Sequence, residues 1–172
     1  AKTLFPYTTL FRSSRGFADH AEIHRGGQFF LVLLMLDGAT NLLWARPQKT
    51  LSTNDTLEAF RVWIATHQCV PKVMVTDMAF TGPVFQTFYR YHAIRHIATG
   101  ARTPWPNRAE TSVRLLKKQF AILAREIGED PLLRKVTCRQ LVRKCVWVRN
   151  NQLTISGKTP IELATGRRPP DL

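Results

Sequence analysis

Residues Phe29 to Leu36 read Phe-Phe-Leu-Val-Leu-Leu-Met-Leu, an unbroken apolar run bounded by the turn signals Arg25-Gly26-Gly27 and Asp37-Gly38. Eight residues are too few to cross a bilayer and too short for a typical buried helix. Such a segment reads as a strand covered on both faces, which requires helices on both sides of a sheet. Its neighbours fit. Phe17 to Ile23 is a plausible strand, and Leu42 to Arg46 is a third, stopped by Pro47. Short turns between the three predict an antiparallel meander.

After Pro47 the period changes. Ser52 and Thr53 open a predicted helix with Leu57, Phe60 and Ile64 on one stripe. Val73 to Val75 is a fourth strand ending at Thr76-Asp77, Pro83 to Tyr91 a short helix carrying Phe85, Phe88 and Tyr89, and Ala93 to Ile97 a fifth strand. Residues 98 to 106 hold Gly100, Pro104 and Pro106 and read as a loop. A long helix from Asn107 places Ala109, Val113, Leu116, Phe120 and Leu123 on one face and is stopped by Gly128. A last helix, Thr137 to Asn151, turns Leu141, Cys145 and Val148 inward and Arg139, Arg143, Lys144 and Arg149 mostly outward. A Gly- and Pro-rich tail follows. The expectation is an α/β layer fold with a five-stranded mixed sheet flanked by helices.

The chain has 172 residues, enough for one domain. Its three cysteines contain no paired motif, which argues against a disulfide scaffold or a cysteine-rich zinc module. The spacing of His20 with His24 and of His92 with His96 would suit zinc, but both pairs fall where strands are expected. The net charge of +13 favours a polyanionic partner. From Arg114 onward there are thirteen Lys/Arg against five Asp/Glu, a net +8, so that half is the expected nucleic-acid face. Thr3 to Ser13 reads, codon by codon, as a translated sequencing-library adapter. Residues 1–13 are therefore expected to be an artefact, with 14–155 the domain proper and 156–172 a truncated C-terminal extension.

Only twelve acidic residues stand among twenty-five basic ones, so those at strand ends are conspicuous. Asp77 closes a buried strand, where α/β sheets place ligand sites; as a turn residue it would equally serve as a cap. Asp19 interrupts a strand. Glu110 completes Asn107-x-x-Glu110, which reads as a capping box.

Taken in order, several segments resemble the integrase catalytic core of gypsy-type long-terminal-repeat retrotransposons. They are Asp77, a Phe85-containing helix, Ile94-Arg95-His96, and Thr103-Pro104-Trp105-Pro106-Asn107-Arg108-Ala109-Glu110. Phe30 to Asn41 looks like that family's second strand and turn. Thr159-Pro160-Ile161-Glu162-Leu163-Ala164-Thr165-Gly166-Arg167 looks like its Ser/Thr-Pro-x-Glu ending. The resemblance runs from Phe17 to about Pro170. It implies a ribonuclease H-like fold and an Asp, Asp, Glu triad that holds two Mg²⁺ or Mn²⁺ ions for phosphoryl transfer. Asp77 matches the second Asp and Glu110 the Glu, with 32 residues between them, slightly fewer than usual. For the first Asp, Asp19 lies eighteen positions before Asp37, close to the gypsy spacing. Glu22 is its rival, nearer to a retroviral spacing; Asp37 itself matches a structural position.

The departures are Asp77-Met78-Ala79 where Asp-Asn-Gly is usual, a shortened Asn-to-Glu segment, and no glutamine ahead of the Glu. They bear on substrate positioning more than on metal binding. Arg114 and Lys117 follow Glu110 on one helical face and are expected DNA contacts, as are Arg102, Trp105 and Asn107 in the loop. The implied activity is 3′-end processing and strand transfer of retroelement DNA by a homodimer or higher oligomer. It would act in the nucleus after a cytoplasmic particle stage, although no targeting signal is visible. The alternatives are an inactive or domesticated nucleic-acid-binding module of the same fold, or a ribonuclease H-like nuclease.

Overall fold

The computed structural model describes residues 14–25, 27–100, 108–129, 136–154 and 156–167. Five strands form one sheet in the order β3-β2-β1-β4-β5. β1 (Arg15–Arg25), β2 (Gln28–Asp37) and β3 (Leu43–Gln48) make the expected antiparallel meander, with Phe17 opposite Leu36 and Leu34 opposite Ala45. β4 (Val73–Thr76) and β5 (Arg95–Ala98) add parallel strands beside β1. The sheet is therefore mixed, as the change of period required.

Alternation along the strands sorts the core into two layers. Ala18, Leu33, Met35 and Met74 face α1 (Thr53–His67) and α2 (Pro83–Tyr91), where they meet Phe60, Trp63, Phe85 and Tyr89. Phe17, Val32, Leu34, Leu36 and Val75 face α3 (Arg108–Glu129) and α4 (Cys138–Gln152), where they meet Leu116, Phe120 and Leu141. β2 is buried from Leu31 through Asp37 because helices cover both its sides. Among the described residues no helix is long and apolar enough to cross a membrane.

Four local expectations need correction. The strand expected from Ala93 begins at Arg95, because Ala93 takes a left-handed φ of 52° and closes the turn after α2. Gly128 does not stop α3, which runs through Glu129. On α4 the buried stripe is Leu141, Val142, Cys145, Arg149 and Asn150; Val148 is only half-buried, and Arg149 points in, not out. Finally, the tail carries a helix, α5 (Pro160–Thr165). Thr159 accepts from the Glu162 N–H, the Glu162 carboxylate accepts from the Thr159 N–H, Pro160 occupies the first turn and Gly166 closes the helix at φ 73°. The Thr-Pro-x-Glu…Gly signature is thus a capped helix written out in full. Ala164 buries it against the α1 and α2 layer. Residues 1–13, including the adapter-like segment, lie outside the described residues.

Candidate active site

Three elements bring the acidic residues to one end of the sheet. β1 and β4 run parallel with Phe17 level with Val75. Two further residues along each chain bring Asp19 level with Asp77. Both fall on the side that Phe17 and Val75 share, which is the side α3 covers. The paired ladder ends at Phe17 and Val75, two residues short of the acids. Glu110 lies in the first turn of α3, beside the fully buried Ala109 that anchors this turn in the core.

The Asp19 carboxyl senses the other two. Burial pushes the Asp19 carboxyl up to about 6, and the negative charges of Asp77 and Glu110 push the same way. The His20 N–H, which donates to Asp19 Oδ1 at 2.8 Å, and the nearby Lys117 ammonium pull it back down. Lys117, two turns beyond Glu110, therefore belongs to the site. Arg114 lies exposed on the same helix. Glu22 does not join them. It sits an odd number of residues from Asp19, faces the other side of the sheet and is exposed. Arg102, Trp105 and Asn107, and with Asn107 the proposed capping box of Glu110, fall outside the described residues.

Asp77 has both of its anticipated aspects. It caps a single 3₁₀ turn, Met78–Phe80, by accepting from the Ala79 N–H at 3.0 Å, and that bond leaves its second oxygen for other use. Its backbone is braced by a chain of side chains. Gln86 Nε2 lies 3.3 Å from His96 Nδ1, His96 Nε2 lies 2.8 Å from Thr76 Oγ1, and Thr76 Oγ1 donates to the Asp77 carbonyl at 2.9 Å. A neutral His96 protonated on Nε2 satisfies every link. Burial lowers its pKa, in keeping with that form, and Tyr89 stacks on its ring at 4.4 Å. The His of the Ile94-Arg95-His96 motif is thus a brace for Asp77. The buried Tyr89 hydroxyl has no hydrogen-bond partner among the described residues, and Asp77 contributes to the upward shift of its pKa.

Two arginines to which sequence reasoning gave no such role set the start of α3. Arg108 donates to the Gly38 carbonyl at 2.9 Å and to Asn41 Oδ1, and its guanidinium lies 5.5 Å from the Phe17 ring centre. Arg149 reaches from α4 to the Asn41 carbonyl at 2.7 Å and to Ser112 Oγ at 3.3 Å. Both grip the β2–β3 turn, where Asn41 sits at φ 57° and the Asp37 carboxylate accepts from the Thr40 N–H and hydroxyl. Asp37 is fully buried there, so its structural assignment agrees with its position. The only available signal for Arg149 was its place in the inward stripe of α4, and a charge there is rarely assigned to a core.

Among the described residues no three His, Cys, Asp or Glu side chains form a ready metal cage. The donor set nevertheless fits a hard divalent cation. Three carboxylates lie on the same side of the sheet, and one of them is held toward its protonated form by burial and by the charges of the other two. A bound cation would relieve that repulsion.

At the sequence level the chain matches no protein-family model and no curated protein. In three dimensions it is similar to the HTLV-2 integrase catalytic core domain in complex with magnesium. For the dimeric form the TM-score is 0.71 at 17% identity, covering 92% of this chain and 99% of that one. For the trimeric form the TM-score is 0.70 at 18% identity, covering 91% and 99%. It is also similar to the simian T-cell lymphotropic virus intasome, with a TM-score of 0.76 at 19% identity over 95% of this chain and 58% of that one. The chain has the ribonuclease H-like fold of a retroviral integrase catalytic core.

Proposed function

We propose that this chain is the catalytic core of a gypsy-type retrotransposon integrase, a metal-dependent polynucleotidyl transferase that processes and joins DNA ends. The observation that carries the reading is the placement of Asp19 and Asp77 level with each other on β1 and beyond β4, on the side covered by α3, whose first turn carries Glu110. Asp19, Asp77 and Glu110 would hold two Mg²⁺ or Mn²⁺ ions. Divalent cations held this way supply Lewis acidity and charge neutralisation for in-line displacement at phosphorus. The chain's own residues do the rest. Lys117 beside Asp19 and Arg114 on the same face of α3 hold the phosphates that flank the reacting one. The chain of hydrogen bonds from Gln86 through His96 and Thr76 fixes the backbone of Asp77. Arg102, Trp105 and Asn107 are assigned to DNA contact on the resemblance alone. The active species is a homodimer or a higher oligomer.

The test is reversal of strand transfer on a branched DNA in Mn²⁺, with Asp77→Asn alongside. The expected result is activity in the parent and loss in the variant by at least about a hundredfold, the scale of losing a group that acts in the transition state. Asp19→Asn should match it and Glu22→Gln should not. Folded protein that binds DNA, with no activity and no response to Mn²⁺, would replace this reading with that of an inactive DNA-binding module. Cleavage without strand joining would favour a nuclease.

A further inference from the structure

Asp19 faces α3, so its neighbour His20 faces the other side of β1, toward α1 and α2. The half-buried His20 ring stacks on the ring of Phe80, with centroids 4.7 Å apart and planes 14° from parallel. Phe80 is the last residue of the 3₁₀ turn that Asp77 caps, and it is fully buried. Phe60 meets it edge-on at 6.1 Å and Phe85 lies at 5.6 Å, so Phe80 is a fixed surface for the imidazole. On the α1 side, His20 Nε2 lies 3.2 Å from Thr56 Oγ1, and Gln48 Nε2 donates to the same hydroxyl at 3.3 Å. Burial lowers the pKa of His20 and the charge of Asp77 opposes that shift, so the Asp77 carboxylate is felt at this ring.

The stack falls where the backbone ladder has ended. Phe17 and Val75 are the last paired residues of β1 and β4, and the acids stand two residues further on. There the negative charge of Asp77 bears on Asp19, and without a cation such a pair tends to push its two supports apart. The bonds from Gln86 through His96 and Thr76 hold Asp77 from the β5 side. The stack holds it from the β1 side. His20 also donates its backbone N–H to Asp19 Oδ1 at 2.8 Å. One residue therefore grips the first carboxylate by its backbone and the turn of the second by its ring.

We propose that His20 is a positioning residue, whose stack on Phe80 sets the separation of Asp19 and Asp77 and keeps the pair ready for a divalent cation. The inference rests on the metal-binding reading of the acids given above. Its ring lies across the sheet from the carboxylates, so it acts through Phe80 and through its own backbone. A site that is assembled for only part of the time binds more weakly by that fraction, and one held in shape by its supports does not incur the loss.

The test takes two readouts on the folded 172-residue chain. One is Mn²⁺ affinity, followed by water-proton relaxation. The other is the set of backbone amide order parameters from Met78 to Phe80 in metal-free protein. His20→Ala should weaken Mn²⁺ binding by at least about tenfold, as for a site assembled about a tenth of the time. It should also lower the order parameters from a rigid value of about 0.85 toward about 0.6. His20→Gln keeps a polar atom for Thr56 without a ring, and should behave like His20→Ala. His20→Phe keeps the ring without the Thr56 bond, and should hold the parent's values. Asn150→Ala removes hydrogen bonds at the far edge of the sheet and should leave both readouts in place, which separates positioning from a general loss of stability. Parent-like order parameters in His20→Ala would overturn the proposal. So would a His20→Gln that matches the parent, a folded His20→Phe as loose as His20→Ala, or an equal loss of Mn²⁺ binding in Asn150→Ala. Mn²⁺ binding by the parent no tighter than by Asp77→Asn would defeat the metal reading instead, and the order parameters would still decide the stack.

Discussion

Arg149 is a cation inside the molecule, 4% exposed, and burial together with the nearby Arg108 lowers its pKa to about 10. Its partners are a backbone carbonyl and a serine hydroxyl. Lysine has one nitrogen and cannot reach both, so Arg149→Lys should destabilise the fold by about 1–3 kcal/mol, measured by chemical denaturation. A variant within a few tenths of wild type would mean that the contacts with α3 and the β2–β3 turn are incidental. Asp19 gives a second prediction at this scale. Its carboxyl is raised from 3.8 to about 6 in the folded chain. Between these values the folded state keeps a proton that the unfolded chain has lost. Metal-free stability should therefore fall as pH rises through this window and level off above it. Thermal unfolding in chelator across the window should show the slope, and Asp19→Asn should flatten it. An unchanged slope in the variant would remove Asp19 as its source.

At the scale of elements, Asn150 does the work of a missing strand, closing the edge of β3 with two hydrogen bonds to Leu43. Asn150→Ala should cost about 1–3 kcal/mol, because it leaves two backbone groups unpaired where water is largely excluded. A melting curve coincident with the parent's would show that solvent reaches that edge. Most elements were legible in the sequence because each carries a local cause. The apolar run of β2, Ser52 at the start of α1 and Pro83 in the first turn of α2 all act within a few residues. Asp19, Asp77 and Glu110 were legible as residue types at spacings. Asp19 was preferred to Glu22 on its spacing from Asp37; the register with β4 adds which of the two acids faces α3. The braces were not legible at all. Thr76 and His96 are twenty positions apart, and Arg149 and Asn41 more than a hundred, so no local pattern links them. The α5 helix was legible in principle, since its capping box stands in the sequence; the glycines and prolines around it read as a tail.

At the scale of the whole molecule, the charge of +13 should dominate binding to DNA. Affinity should fall linearly with salt on logarithmic axes, with a slope of about −0.9 for each phosphate neutralised. Lys117→Gln should reduce that slope by about one without changing sequence preference, if Lys117 meets a phosphate. An unchanged slope would confine Lys117 to its partnership with Asp19. The double cover of β2 has a consequence for how the chain must be made. The meander of β1, β2 and β3 emerges first from synthesis, and α1 and α2 can close one of its sides soon after. The other side waits for α3 and α4, which come after Arg108. Until then Val32, Leu34 and Leu36 stand bare on β2, a strand with the composition of an aggregating segment. A nascent chain that stalls at residue 100 would be expected to precipitate or to recruit chaperones, and supplying the second half in trans should rescue its solubility. For a sequence of this design, the dangerous interval lies between the synthesis of β3 and that of α4.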